Sequence, residues 1–190
     1  MADRDEPPEV ASGQRFVPRT TVMEPDDLSR ATWRMAHEIL ERNRGPEGLV
    51  LVGLQKGGVW VAERLVGVVR EVSGADVPCG TLDVAFYRDD IALRPVLTEE
   101  ATDIPVDLTG RTVVLVDDVL YTGRTVRAAL NALADHGRSR AVQLAVVVDR
   151  GHRELPIRPD FVGKNLPTRS DEVVDVSPAG VVIGDVAAPR

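Results

Sequence analysis

The residues whose types and spacing could do chemistry lie in one stretch, Asp117-Asp118-Val119-Leu120-Tyr121-Thr122-Gly123-Arg124-Thr125. Two adjacent carboxylates come first, and a short hydroxyl- and glycine-containing turn follows. If that turn opens a helix, its first N–H groups lack intrahelical partners and the helix dipole adds positive potential there. A phosphate fits such a place. Gly123 lets the backbone come close, Thr122 and Thr125 offer hydroxyl donors, and Arg124 supplies compensating charge. Asp117 and Asp118 would repel a phosphate, so they suit the other end of the ligand: vicinal hydroxyls, a divalent cation, or both. Phosphate at the turn and hydroxyls at the carboxylates together describe a ribose 5-phosphate. A strand ending in solvated carboxylates before an ordinary N-cap threonine would explain any one of these residues, but not the set.

The elements that must position them can be read on either side. Val113 to Val116 shows no polar alternation, as expected of a strand buried on both faces. Val126, Ala129, Leu130 and Leu133 recur at helical spacing, and Gly137 is placed to end that helix. Strand, turn and helix in this order put the polar groups at the strand's carboxyl end, where open α/β sheets bind ligands. No G-x-G-x-x-G is present, and the turn lacks the G-x-x-x-x-G-K-[ST] of a P-loop.

The same alternation recurs along the chain. A first helix is expected from about Asp26, after Pro25, with Leu28, Ala31, Met35 and Ile39 inward. Arg30, Trp33, Arg34, His37 and Glu41 fall on its other faces. Leu49 to Val52 reads as a strand, Gly53 to Gly58 as a glycine-rich turn, and 59–71 as a helix with Ala62, Leu65, Val66 and Val69 inward. Thr81 to Phe86 is expected as a strand entering Tyr87-Arg88-Asp89-Asp90, followed by a long polar loop to Thr109. Ala141 to Val148 is another strand. Glu172 to Val176 and Val181 to Val186 suggest a hairpin around Pro178-Ala179-Gly180. Between Arg150 and Arg169 five Lys or Arg face two acids, a local net charge of +3 on a chain of net charge −7.

Three strings together resemble one family: Tyr87-Arg88-Asp89-Asp90, Asp117 to Thr125, and Val148-Asp149-Arg150-Gly151-His152-Arg153-Glu154-Leu155-Pro156-Ile157-Arg158. The central string looks like the phosphoribosyl pyrophosphate (PRPP) signature of type I phosphoribosyltransferases. With the others it resembles the bifunctional pyrimidine operon attenuation regulator/uracil phosphoribosyltransferase family, over roughly Met23 to Val186. The resemblance implies a regulator that binds the leader mRNA of a pyrimidine operon in response to UMP or UTP. It also implies an enzyme that makes UMP and pyrophosphate from uracil and PRPP with Mg²⁺. Asp117, Asp118, Arg88 and Lys56 are then the catalytic candidates. PRPP and UMP would be bound by Asp117, Asp118, Tyr121 to Thr125 (Tyr121, Thr122, Gly123, Arg124, Thr125), Lys56 and Gly57. The magnesium ion would come with PRPP and meet Asp117 and Asp118. Pro159 to Asn165 resembles a base-binding hood, with Phe161 and Val162 beside the base; the residues alone equally allow Phe161 to be plain core. His37, Arg153, Arg158 and Lys164 would contact RNA. Where relatives often carry Thr-Arg-Gly for pyrophosphate, this chain has Lys56-Gly57-Gly58, a point charge without the arginine's bidentate fork.

The expected fold class is α/β: a mainly parallel central sheet flanked by helices, with a small hood built from the terminal segments. A single domain over 22–190 would follow a disordered leader over 1–21, which is rich in charge and proline. One cysteine, Cys79, allows no internal disulfide. No apolar run approaches ~20 residues, so no membrane span is expected and a cytoplasmic setting is the simplest. The acidic balance argues against general affinity for nucleic acid, leaving the local basic stretch as the RNA candidate. A homodimer or higher homo-oligomer is expected from the family. Two alternatives stand beside the bifunctional reading: an RNA-binding nucleotide sensor with weak or vestigial catalysis, and a phosphoribosyltransferase for another base.

Overall fold

The structure is a computed structural model that describes residues 9–10, 14–87 and 101–187. Its centre is a five-stranded parallel sheet of β3 (Leu49–Leu54), β4 (Cys79–Leu82), β5 (Thr112–Leu120), β6 (Ala141–Asp149) and β7 (Phe161–Asn165), in spatial order β4-β3-β5-β6-β7. Helices cover both faces, which is why the strands show no polar alternation. Leu49, Leu51, Val114, Val116, Ala145 and Val147 face α1 (Pro25–Asn43) and α2 (Gly57–Ser73). Their neighbours Val50, Val52, Val113, Leu115, Leu144 and Val146 face α3 (Arg124–Leu133). Alternate side chains of a strand point to opposite faces, so each strand contributes to two cores.

Local chemistry sets the helix ends. At the start of α1, Pro25 occupies the first turn and the Asp27 carboxylate accepts the Glu24 N–H at 3.2 Å. Its buried stripe is Leu28, Ala31, Thr32, Met35, Ala36 and Ile39, matching the expected positions and adding two. For α3 the expected stripe is wrong at one residue. Leu130 is 43% exposed, while Ala128 and Ala132 are buried beside Val126, Ala129 and Leu133. The helix packs closely on the sheet through alanines, which leaves the larger side chain outside.

The second layer is a four-stranded antiparallel sheet in order β1-β2-β9-β8, formed by β1 (Glu9–Val10), β2 (Gln14–Met23), β8 (Val173–Ser177) and β9 (Gly180–Ala187). The hairpin around Pro178-Ala179 is present, with Ser177 opposite Gly180. The expected boundary at residue 21, by contrast, falls inside a strand. From Arg15 to Met23 the chain pairs with β9, so 14–21 belongs to the hood rather than to a disordered leader. Pro18 masked that strand in the sequence; it sits at a register shift, where a missing N–H is tolerated.

Two further expectations are corrected. The strand expected over Thr81–Phe86 stops at Leu82, and Ala85–Tyr87 is a 3₁₀ turn. Residues 159–165, expected in the hood, instead place β7 in the main sheet, parallel to β6. The polar loop expected from 88 to 109 lies partly outside the described residues; within them, Asp103 bridges to Thr81 and Leu108 is buried.

Candidate functional site

All five parallel strands end at the same edge, and β5 carries its carboxylates there. Asp117 is buried at 8% exposure, and its Oδ1 accepts the Asp118 N–H at 3.0 Å. Oδ1 of Asp118 accepts the Val119 N–H at 2.7 Å. Burial pushes the Asp118 carboxyl above the ordinary carboxylate range, with these hydrogen bonds opposing the shift. Asp175 on β8 is also raised, first by burial and then by the charge of Asp118. The hood therefore brings a third carboxylate toward the β5 pair. A lone acid within Val173-Val174-Asp175-Val176 was the sequence signal for it.

The loop after β3 meets β5 backbone to backbone. A Cβ on Gly57 would overlap the Asp118 carboxylate, and one on Gly58 would overlap the Val116 carbonyl. These glycines let the first turn of α2 lie against the carboxylates, which also places exposed Lys56 at that mouth. In the sequence Gly58 is the last residue of the expected pyrophosphate loop, and only the fold shows its close approach to β5.

The turn after β5 has the expected form. Gly123 adopts φ 92° immediately before α3, and its carbonyl accepts the Arg127 N–H at 3.0 Å. The Thr122 hydroxyl oxygen accepts the Arg124 N–H at 3.4 Å. Arg124, expected to balance a phosphate, donates its Nε–H to Glu154 at 2.8 Å. The Tyr121 ring lies under the Arg150 guanidinium at 4.2 Å and edge-on to His152, and its hydroxyl donates to the Ser170 carbonyl at 3.3 Å. Arg150 is itself buried, donating to the Thr168 hydroxyl and to the carbonyls of Arg169 and Glu172. Its role is thus to fasten the chain between β7 and β8 to the turn, which its place in a basic string did not reveal.

Residues expected at the base prove to be split. Phe161 is 3% exposed within the core under α1, with Arg42 over its ring, while Val162 packs against the α3-side core. Phe161 is corrected from base contact to core, because parallel pairing with β6 turns its ring under the helix. Beyond the carboxyl ends of β6 and β7 lies a cleft of about 340 Å³ lined by Asp149, Arg150, Gly151, His152, Asn165, Pro167 and Thr168.

The basic candidates also separate. His37, Arg158 and Lys164 are exposed. Lys164 shares a groove of about 380 Å³ with Arg30 and Arg34 of α1, and His37 follows one turn along, its ring 6.1 Å from that of Trp33. Arg34 ties this helix to β7 through the Val162 and Gly163 carbonyls at 3.0 and 2.7 Å. Arg153 turns inward instead, bonding Ile157 O, Tyr121 O and Asp149. Arg88 lies outside the described residues. No helix among the described residues is long and apolar enough to cross a membrane.

Comparison with known proteins agrees with this arrangement. The phosphoribosyl transferase domain family matches residues 27–179. The Bifunctional protein PyrR of Brevibacillus brevis is 52% identical over 179 residues, covering 92% of this chain and 98% of that protein. The Bifunctional protein PyrR of Deinococcus deserti is 57% identical over 162 residues, covering 84% and 87%. Among solved structures, the hypoxanthine phosphoribosyltransferase of Trypanosoma cruzi superposes with a TM-score of 0.69 at 16% identity, covering 90% of this chain and 98% of that one. That of Staphylococcus aureus gives 0.67 at 18%, covering 90% and 93%. At such identities the structural likeness speaks for the fold alone. With 52% and 57% identity to these two proteins over 98% and 87% of their lengths, and a domain match over residues 27–179, the chain belongs to the PyrR family of bifunctional proteins, built on the phosphoribosyl transferase domain.

Proposed function

We propose that this protein is a uracil phosphoribosyltransferase that also binds the leader mRNA of a pyrimidine operon in response to uridine nucleotides. One observation carries the catalytic half: a glycine-opened helix N-terminus stands one turn beyond a carboxylate pair against which a second loop packs without side chains. That geometry suits a ribose 5-phosphate with a diphosphate on its anomeric carbon. The α3 turn, 122–125, takes the 5′-phosphate. Asp117 and Asp118 take the ribose hydroxyls, and Lys56 and the 57–58 backbone take the diphosphate.

In the reaction the bond from uracil N1 to the anomeric carbon forms as the bond to the diphosphate oxygen breaks, and the proton of N1 is released to solvent. Carboxylates beside the ribose stabilise the positive charge that develops on the ring, and Lys56 meets the negative charge on the departing group. Among the described residues no cluster of three or more His, Cys, Asp or Glu could hold a metal. The paired carboxylates instead suit a magnesium ion brought with the substrate, which Asp117 and Asp118 would help to hold and which would supply neutralisation of leaving-group charge. We place the base in the cleft beyond β6 and β7, beside Tyr121, rather than at Phe161. The RNA face in this proposal is His37, Arg158 and Lys164, where exposed charge surrounds α1 and β7. Pairing of two copies would enlarge that face; sedimentation as monomer at micromolar concentration would remove this part.

Lys56 in place of an arginine supports a second reading, a nucleotide sensor with weak catalysis, because a point charge holds a diphosphate less firmly than a guanidinium fork. The deciding experiment is a spectrophotometric assay of UMP formation from uracil and PRPP with Mg²⁺. Turnover that disappears in Asp118→Asn is the expected result. UMP binding without turnover in the native protein would select the sensor, and neither binding nor turnover would sink both.

A further inference from the structure

The outer face of α1 carries an aromatic ring among cations, and no step of the reaction uses it. Trp33 is 39% exposed, and its indole lies 6.1 Å from the His37 imidazole at an interplanar angle of 32°. At 3.6 residues per turn, Arg30, Trp33, Arg34 and His37 fall within an arc of about 100°, opposite the buried stripe. All four are exposed. Lys164 at the end of β7 joins Arg30 and Arg34 along the groove of about 380 Å³. These three cations outnumber the acids beside them, Asp27 and Glu38, which Arg30 and Arg34 hold at 2.6 and 2.8 Å. The face is also fixed in place. Arg34 donates to the Val162 and Gly163 carbonyls and Lys164 to the Val22 carbonyl, so α1, β7 and the end of β2 keep one spacing.

A lone apolar side chain at a surface needs no explanation. This one has a second ring beside it and cations around it, on a chain of net charge −7. An apolar protein surface would cover the indole but strip water from the charges. A nucleic-acid duplex would meet the charges but keep its base faces stacked inside. An unpaired RNA base satisfies both, because its face stacks on an aromatic ring while its own phosphates reach the cations. We propose that Trp33 is a stacking platform for one unpaired base in a loop of the RNA, with Arg30, Arg34 and Lys164 on the flanking phosphates. This rests on the proposed RNA face and adds to it a contact with a base, where charge alone meets only phosphate. A purine, with the larger ring, overlaps the indole more fully than a pyrimidine.

The test pairs a change in the protein with a change in the RNA. Leader RNA is made with each loop base removed in turn, and binding is measured by gel shift with native protein, Trp33→Phe and Trp33→Ala. Trp33→Ala should bind intact RNA about tenfold or more weakly and Trp33→Phe less so, since a smaller ring still stacks. The salt dependence should not change, because no phosphate contact is lost. One abasic position should cost the native protein as much and cost Trp33→Ala nothing further. UMP formation should stay within about twofold, as for any surface change away from that site. Thermal melting checks each fold, and Trp33→Gln replaces Trp33→Ala if the latter unfolds. Unchanged RNA affinity in Trp33→Ala would overturn the proposal. A loss that no abasic position shares would do the same, as would one that comes with a shallower salt dependence. Sedimentation of Trp33→Ala as a smaller species than the native protein would also overturn it, by assigning the ring to contact between copies. Native protein that binds no leader RNA would remove the RNA face itself, and this proposal with it.

Discussion

The phosphate turn and the basic groove beside α1 both look built for phosphate, yet they are held in opposite ways. At the turn, backbone carbonyls 120 to 122 are each bonded to the segment after β6, and Gly123 is fitted against Leu155 and Ile157. Its donors are backbone amides whose directions are set before any ligand arrives. In the groove the cations are side chains at the surface, and several are engaged elsewhere: Arg30 with Asp27, Arg34 with Glu38, Lys164 with the Val22 carbonyl. A preorganised site suits one small ligand of fixed shape, whereas exchangeable surface pairs suit a large polyanion that can displace weak partners. The two halves of the proposed function thus fall on regions with different physics.

The comparison breaks most sharply at Asp118. Replacing it with Asn should reduce kcat/KM for UMP formation by at least about a hundredfold, since charge stabilisation in a preorganised site is worth that much. Leader-RNA affinity without nucleotide should stay unchanged, measured by gel shift on the same preparation. Equal loss of both would mean that the two regions are one. Gly57→Ala tests the same region through shape. Its Cβ must displace the Asp118 carboxylate or the loop, so turnover should fall by about tenfold or more, with a stability cost of about 1–3 kcal/mol by thermal melting. Normal activity in that variant would show the loop to be loosely held.

The proposed RNA face should respond in the reverse sense, tested at Arg158, which is exposed but does not line the groove. Arg158→Glu is expected to weaken leader-RNA binding by about tenfold and to make its salt dependence shallower, leaving UMP formation within about twofold. Read by gel shift across a salt series, unchanged binding would take Arg158 out of the RNA face.

The smallest effect concerns stability. Burial raises the Asp118 carboxyl, so the native state holds that proton more tightly than the unfolded chain does. This group's contribution is fully present below the ordinary carboxylate pKa and is lost as pH rises through the folded value. Asp118→Asn should therefore melt a few degrees above the native protein at neutral pH, and the gap should close as pH falls toward about 4. Melting scans between those limits decide it; a gap that widens in acid would contradict the burial argument. A more stable, inactive variant would mark the carboxylate as kept for chemistry.

Much of this was legible in the sequence for reasons that are local. A four-residue apolar run ending in paired carboxylates, followed by Thr-Gly-Arg-Thr and a helical period, needs no distant partner to be read as strand, anion turn and helix. The buried stripe of α1 followed from spacing alone. The misreadings share a different cause. Leu130 has the period of a core residue, but alanines close the gap between α3 and the sheet and leave it outside. Phe161 and Val162 stand in a string that resembles a base site, yet parallel pairing with β6 turns the ring under α1. Pro18 and the charged leader hid β2, because its strand character comes from pairing with β9, more than 150 residues away.

By itself, then, the sequence determined the alternation of helix and strand from α1 to β6, the buried strands and the carboxylate–turn pair, since these depend on neighbours within a few residues. The tertiary structure alone decided which charges act where. Arg153 and Arg158 are of one type and five residues apart, but one guanidinium lies among three acceptors from separate elements and the other in water. A cation's role is set by the acceptors around it, and those are assembled only when β5, β6 and β7 lie side by side.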